Sequence, residues 1–278
     1  MVAVPVVTGQ EQMVGAGLGL VAGDPAAPGT PVASTAAEVA RLAATAEDLA
    51  ALDGLVSVCR ACPRLVEWRE TVAATRRRAY AGEHYWGRPV PGFGAADARI
   101  GVVGLAPAAH GGNRTGRVFT GDRSGDWLFA ALHRAGLASQ ATSVHAGDGL
   151  TLRHTRILAA VRCAPPANKP TTVERDTCRP WLDRELALLW STLRTVVVLG
   201  GYGWSVLWSA LRDLDVTLPS PRPPFAHGRE VRLDRPDGPP VTVLGCYHVS
   251  QQNTFTGRLT APMLDAVFGR ARELAGLT

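Results

Sequence analysis

The chain has 278 residues, 46% apolar and 19% charged, enough to bury a real core in one domain with additions. Basic residues exceed acidic ones, 29 to 24, so the formal charge is +5 and the pI near 9.3, which points to an anionic partner. Five cysteines are too few for a disulfide-dense secreted domain, no secretory leader is read, and no run reaches the roughly 18–20 apolar residues of a spanning helix, so a soluble cytoplasmic protein is expected.

Residues Met1 to Ser34 are low in charge and rich in Gly, Ala, Val and Pro, and are read as a disordered extension to a single domain over 35–278. From Thr35 to Cys59 apolar positions recur at helical spacing, and a second amphipathic pattern runs through Val72. The run Arg76, Arg77, Arg78 reads as a solvated helix end. Pro and Gly then exclude regular structure from Ala79 to Ala98, although Tyr80, Tyr85, Trp86 and Phe93 predict that the segment packs on something.

Four apolar runs follow: Ile100–Leu105, Ile157–Val161, Val196–Leu199 and Val241–Cys246. Helical patterns separate or follow them at Asp126–Leu137, Val173–Leu193, Gly203–Leu211 and Pro262–Leu274. Continuously apolar strands alternating with helices predict a parallel sheet covered on both faces. The Pro-rich basic segment Pro219–Pro240 is expected to be a loop. One stretch stands apart, Gly101–Gly125 (GVVGLAPAAHGGNRTGRVFTGDRSG). A strand opening into a Gly-rich loop before a helix places backbone N–H groups at the carboxyl end of a sheet, where α/β proteins bind ligands. The loop also carries Phe119, Asp122, Arg114, Arg117 and Arg123, a mix suited to a polyanion bearing a flat ring.

Cys59 and Cys62 form C-x2-C, and Cys163 and Cys178 form a wider pair later in the chain. Each sits by a proline-stiffened loop, and four thiolates suit either zinc or an iron–sulfur cluster; the spacing leaves both open. Cys246, alone at the end of an apolar strand, reads as a small buried hydrophobe.

Five blocks in order carry a resemblance: VCRACPRLVEWRE, YWGRPVPGFG, the Gly101–Gly125 stretch, AVRCAPPANKP and CYHVSQQNTFTGRLT. Together they resemble the iron–sulfur family 5 (type b) branch of the uracil-DNA glycosylase superfamily. The resemblance implies a three-layer α/β/α sandwich with a central four-stranded parallel sheet, and a structural 4Fe-4S cluster on Cys59, Cys62, Cys163 and Cys178. It implies base-excision repair: hydrolysis of the N-glycosidic bond of uracil, and of other deaminated bases such as hypoxanthine and xanthine, in DNA; a monomer is expected because no exposed apolar repeat in the sequence asks for a partner. The target nucleotide must first leave the stack.

Residue by residue, the same resemblance implies that His248, in HVS, donates to the oxygen of the departing base. The superfamily's polar residue after the first strand is missing here, where Gly104 and Ala106 offer only backbone to a base pocket. The nearest carboxylate, Asp122, is assigned to the attacking water, its plain structural role being a helix N-cap. Phe119 is placed against the flipped base, and Asn168 at the base edge, where an amide matches a donor–acceptor pair. Gln251, Gln252, Asn253 and Phe255 belong to a loop expected in the minor groove, while Arg114, Arg117, Arg123, Lys169 and Arg258 are expected to meet phosphates. His110 is expected near the pocket. The competing readings are a non-catalytic iron–sulfur module that senses damaged DNA, and a zinc α/β protein.

Overall fold

The computed structural model describes residues 24–214 and 216–277. Residues 1–23 of the expected extension lie outside the described residues. Residues 24–34 belong to the packed body: Asp24 pairs with buried Arg88 at 2.6 Å, and the fully buried Ala33 accepts from Arg60 N at 2.7 Å.

The helical pattern from Thr35 forms two helices, α1 (Ala36–Thr45) and α2 (Leu49–Ser57). Thr35 and Glu38 make a capping box for the first, and Asp48 caps the second by accepting from Ala51 N at 2.7 Å. That second start signal divides an otherwise continuous pattern. Helix α3 (Pro63–Thr75) follows, with proline in its first turn.

The sheet has six strands among the described residues, two more than the sequence pattern predicts. They are β1 (Phe93–Gly94), β2 (Ile100–Gly104), β3 (Thr155–Ala159), β4 (Thr195–Leu199), β5 (Glu230–Leu233) and β6 (Val241–Cys246), in the order β1-β3-β2-β4-β6-β5. The central β3, β2, β4 and β6 are the four predicted strands, mutually parallel and buried along their whole length. The antiparallel edges β1 and β5 come from segments expected to be irregular. Strand β5 alternates in exposure, as an edge strand with one wet face does.

Between the strands lie α4 (Gly112–Thr115), α5 (Arg123–Arg134), α6 (Thr172–Leu189) and α7 (Gly200–Ala210); α8 (Gln251–Phe255) and α9 (Ala261–Leu274) close the chain. Two cores sandwich the sheet. Val196 and Val198 pack toward α1, α2, α6 and α7, whereas Val197 and Leu199 pack toward α5 and α9. This alternation is the two-residue period of a strand buried on both faces. The carboxyl ends of the parallel strands all open on one edge, and the loops that matter leave from there.

Candidate active site

Strand β2 delivers Gly104 to the sheet edge, where Phe119 lies directly over it. A Cβ on Gly104 would sit 2.8 Å from Phe119 Cε2 and Cζ, so only glycine lets the ring pack this close. Phe119 has φ 50, an αL backbone uncommon for an aromatic. The ring stays half-buried, open on one side.

Asp122 caps α5, its Oδ1 accepting from Gly125 N at 2.9 Å. Cap and cleft roles coincide, since Oδ2 lies over Gly111 where any Cβ would collide with it. Burial raises the carboxyl's pKa above its ordinary value, against the lowering effect of backbone donors at Gly125 and Ser124.

His248 leaves the end of β6, its ring 6.2 Å from that of Phe119 and tilted by 41°. Burial pushes its pKa down to about 4, so the imidazole is neutral near pH 7 and offers one N–H donor. Its carbonyl accepts from Asn253 Nδ2 at 2.8 Å, which ties α8 to the histidine. Across the opening, Ala167 and Asn168 both take positive φ, 52 and 56. Asparagine tolerates this conformation and alanine does not, so the turn stores backbone strain at the cleft's rim. It leaves the Asn168 side chain exposed.

These groups line one cleft of about 560 Å³, with Ala106, Ala108, Arg123, Ser124, Gln251 and Gln252. A second groove of about 550 Å³ continues from it, sharing Asp122, Arg123, Asn168 and Gln251 and adding Arg77, Tyr80 and His110. Tyr85, itself buried, holds His110 through a 3.0 Å contact between Oη and Nδ1. Arg77 was visible in the sequence only as part of a charged run; nothing local marked it as facing the cleft.

Two expected phosphate contacts are spent elsewhere. Arg114 is buried against the Tyr80 ring, pairs with Glu83 and donates to the carbonyls of His110 and Gly121, each at 2.8 Å. Arg117 is buried in a bidentate pair with Asp148 at 2.8 and 2.9 Å, and also holds Thr120 and Ser143. Both arginines shape the loop from within. Asn253 likewise faces inward to His248. Gln252, Arg258, Arg123 and Lys169 are exposed. Phe255 is 66% exposed beside Arg123, an unusual place for a large apolar ring.

Away from the cleft, Cys59, Cys62, Cys163 and Cys178 line one small internal cavity with Arg69, Arg162 and Trp181. Burial and the neighbouring sulfurs push the Cys62 thiol up to about 12, and Cys59 and Cys178 are also raised, first by burial. Arg69 Nη1 donates to Cys163 Sγ at 3.0 Å, and Arg162 N to Cys178 Sγ at 3.3 Å. Arg69 Nε and Arg162 Nε and Nη1 are buried without a partner among the described residues. Among those residues no group of three His, Cys, Asp or Glu side chains is placed to hold a single metal ion. Cys246 is buried elsewhere, as expected.

The family model described as the Uracil DNA glycosylase superfamily matches residues 91–271. A Mycobacterium tuberculosis protein named Type-5 uracil-DNA glycosylase is 57% identical over 236 residues, covering 85% of each chain. Proteins of the same name are 50% identical in Thermus thermophilus, over 80% of this chain and 96% of the relative, and 46% identical in Pyrobaculum aerophilum, over 78% and 89%.

Proposed function

The chain belongs to the uracil-DNA glycosylase superfamily, and from that footing we infer that it excises uracil from DNA by hydrolysing the N-glycosidic bond. The observation that carries the reading is the convergence of Phe119, Asp122, Asn168 and His248 on one cleft. The reaction moves electrons from the breaking bond onto the base and leaves positive charge on the sugar. A neutral His248 donates to the base oxygen as it gains charge, a fixed donor already aimed where the charge develops. The Asp122 carboxylate orients water toward the sugar carbon and stabilises the cationic sugar. Phe119 stacks on the extruded ring, and Asn168 matches the donor and acceptor of its edge.

No polar side chain projects from Ala106, so nothing there rejects a larger base. This supports a broader substrate range that takes in hypoxanthine and xanthine. A labelled duplex with one uracil, incubated with enzyme and then treated with alkali, is expected to break at that site. Intact strands, with binding retained, would leave a DNA-binding module instead. The same assay with hypoxanthine or xanthine tests the breadth, which strict uracil specificity would remove.

For the cysteine corner we propose a 4Fe-4S cluster held by Cys59, Cys62, Cys163 and Cys178. The orphaned arginine N–H groups suit a group rich in acceptors and negative charge. When bound it supplies a cross-link between the segment joining α2 to α3, the loop after β3 and helix α6. No step of the hydrolysis runs through it.

A further inference from the structure

Arg69, on α3, is 1% exposed. Its guanidinium donates through Nη1 to Cys163 Sγ at 3.0 Å and through Nη2 to the Cys59 carbonyl at 3.0 Å, while Nε has no partner among the described residues. The nearest carboxylate is Glu70, whose Oε1 lies 3.9 Å from Nη2 and whose side chain is 44% exposed. A guanidinium is always charged, and a buried one needs a close anion to offset the loss of its hydration. Glu70 is too distant and too wet to serve. The other buried arginine of the corner, Arg162, is matched already: it pairs with the fully buried Glu185. Among the described residues Arg69 therefore faces the sulfur corner with its charge only weakly matched, by a Glu70 carboxylate that also pairs with Arg60.

We propose that Arg69 is the internal counter-charge of the four-thiolate group, a positioning residue that holds Cys163 and sets the group's reduction potential and lifetime. The proposal rests on the cluster reading above. Four thiolates around a 4Fe-4S core leave a net negative charge in a poorly solvated corner, and each added electron deepens it. A fixed cation donating to one sulfur stabilises the more reduced form more than the oxidised one, so it raises the potential. It also shields the sulfurs from oxidants that remove the cluster. The position reaches further: the Arg69 carbonyl accepts from the buried Asn113 Nδ2 at 3.2 Å, and Asn113 belongs to α4 in the active loop. One residue thus touches both the sulfur corner and the loop that carries Phe119 and Asp122.

The test starts with iron and sulfide content and the visible spectrum of the wild-type protein. A colourless, iron-free wild type purified without air would overturn the cluster reading itself. Given a loaded wild type, Arg69→Met and Arg69→Gln are prepared anaerobically, their iron content matched, and the potential of the wild type's one-electron couple measured. Both neutral variants are expected to shift it to more negative values and to lose visible absorbance several-fold faster in air. Arg69→Lys, which keeps the charge, is expected to recover most of the potential, a result that a merely space-filling role does not give. If Arg69→Met fails to fold, the Lys and Gln pair carries the comparison. Potentials equal to wild type in the Gln or Met variant at full loading would overturn the proposal.

Discussion

The cleft and the sulfur corner both lie beside loops from the parallel strands, yet they treat polar groups in opposite ways. Behind the corner, charge meets charge: Arg156 bridges Asp53 and Glu185, and Glu185 bridges on to Arg162, with Arg69 of the corner itself the exception. In the cleft, His248 and the Asn168 amide are left for something outside the protein, and Asp122 spends one oxygen on its helix. Satisfied networks hold a fold in one arrangement, whereas groups left free are poised for a ligand. The difference separates the residues that support the site from those proposed to act in it.

The hardest way to break the supporting side is Glu185→Ala. It strands Arg162 and leaves Arg156 with only Asp53, so about 3–5 kcal/mol of stability is expected to go, read as a fall in urea midpoint. Glu230→Ala, which breaks the exposed pair with Arg270, is expected to leave the midpoint nearly unmoved. Equal midpoint shifts in the two variants would mean that the buried network carries no special weight.

The acting side breaks differently. Asp122→Asn is expected to cut single-turnover excision by about 10²–10⁴-fold and His248→Ala by about 10²–10³-fold, with DNA binding largely kept. Normal rates in either variant would remove that residue's role. Acid separates the pair further. On the proposed role, which needs the carboxylate ionised, the wild-type rate is expected to fall as pH drops through the raised pKa of Asp122, and that limb is expected to be lost in the Asn variant. Stability follows the histidine in the opposite sense from the aspartate. Unfolded imidazole takes a proton below about 6.5, but folded His248 refuses it until about 4, so its contribution declines across that window as pH falls. Asp122, protonated more readily when folded, gains stability over its own range. His248→Gln should therefore flatten the loss between those two values.

Continuous apolar runs made the central strands legible, because a strand buried on both faces has no polar alternation to disguise it. The edges were not legible: β1 is Phe93–Gly94 inside a Pro-rich segment, and β5 is four residues in a basic one. Motif position singles out Phe119, Asp122 and His248 as candidates, and all three line one cleft. The fate of Arg114 and Arg117 could not, since Glu83 and Asp148, which claim them, sit in segments with no readable structure. An arginine in a Gly-rich loop looks the same whether it faces a phosphate or a buried carboxylate. Asn253 is the same case, its amide taken by the carbonyl of the histidine it was expected to flank.

That ambiguity sets the smallest of the expected effects. Arg123, near the exposed Phe255 ring, and Arg258, over Tyr247, reach solvent, whereas Arg117 does not. Each exposed arginine that neutralises one phosphate adds about 0.9 to the slope of log affinity against log salt. Arg123→Ala and Arg258→Ala are each expected to weaken binding evenly across sequences and to lower that slope by about this amount, with the denaturation midpoint unchanged. Arg117→Gln should do the reverse, leaving the slope and lowering the midpoint, because its charge is already matched by Asp148. A change of slope in Arg117→Gln equal to that in Arg123→Ala would place Arg117 on the DNA side after all, and the division between supporting and acting residues would fail at the loop where the two regions meet.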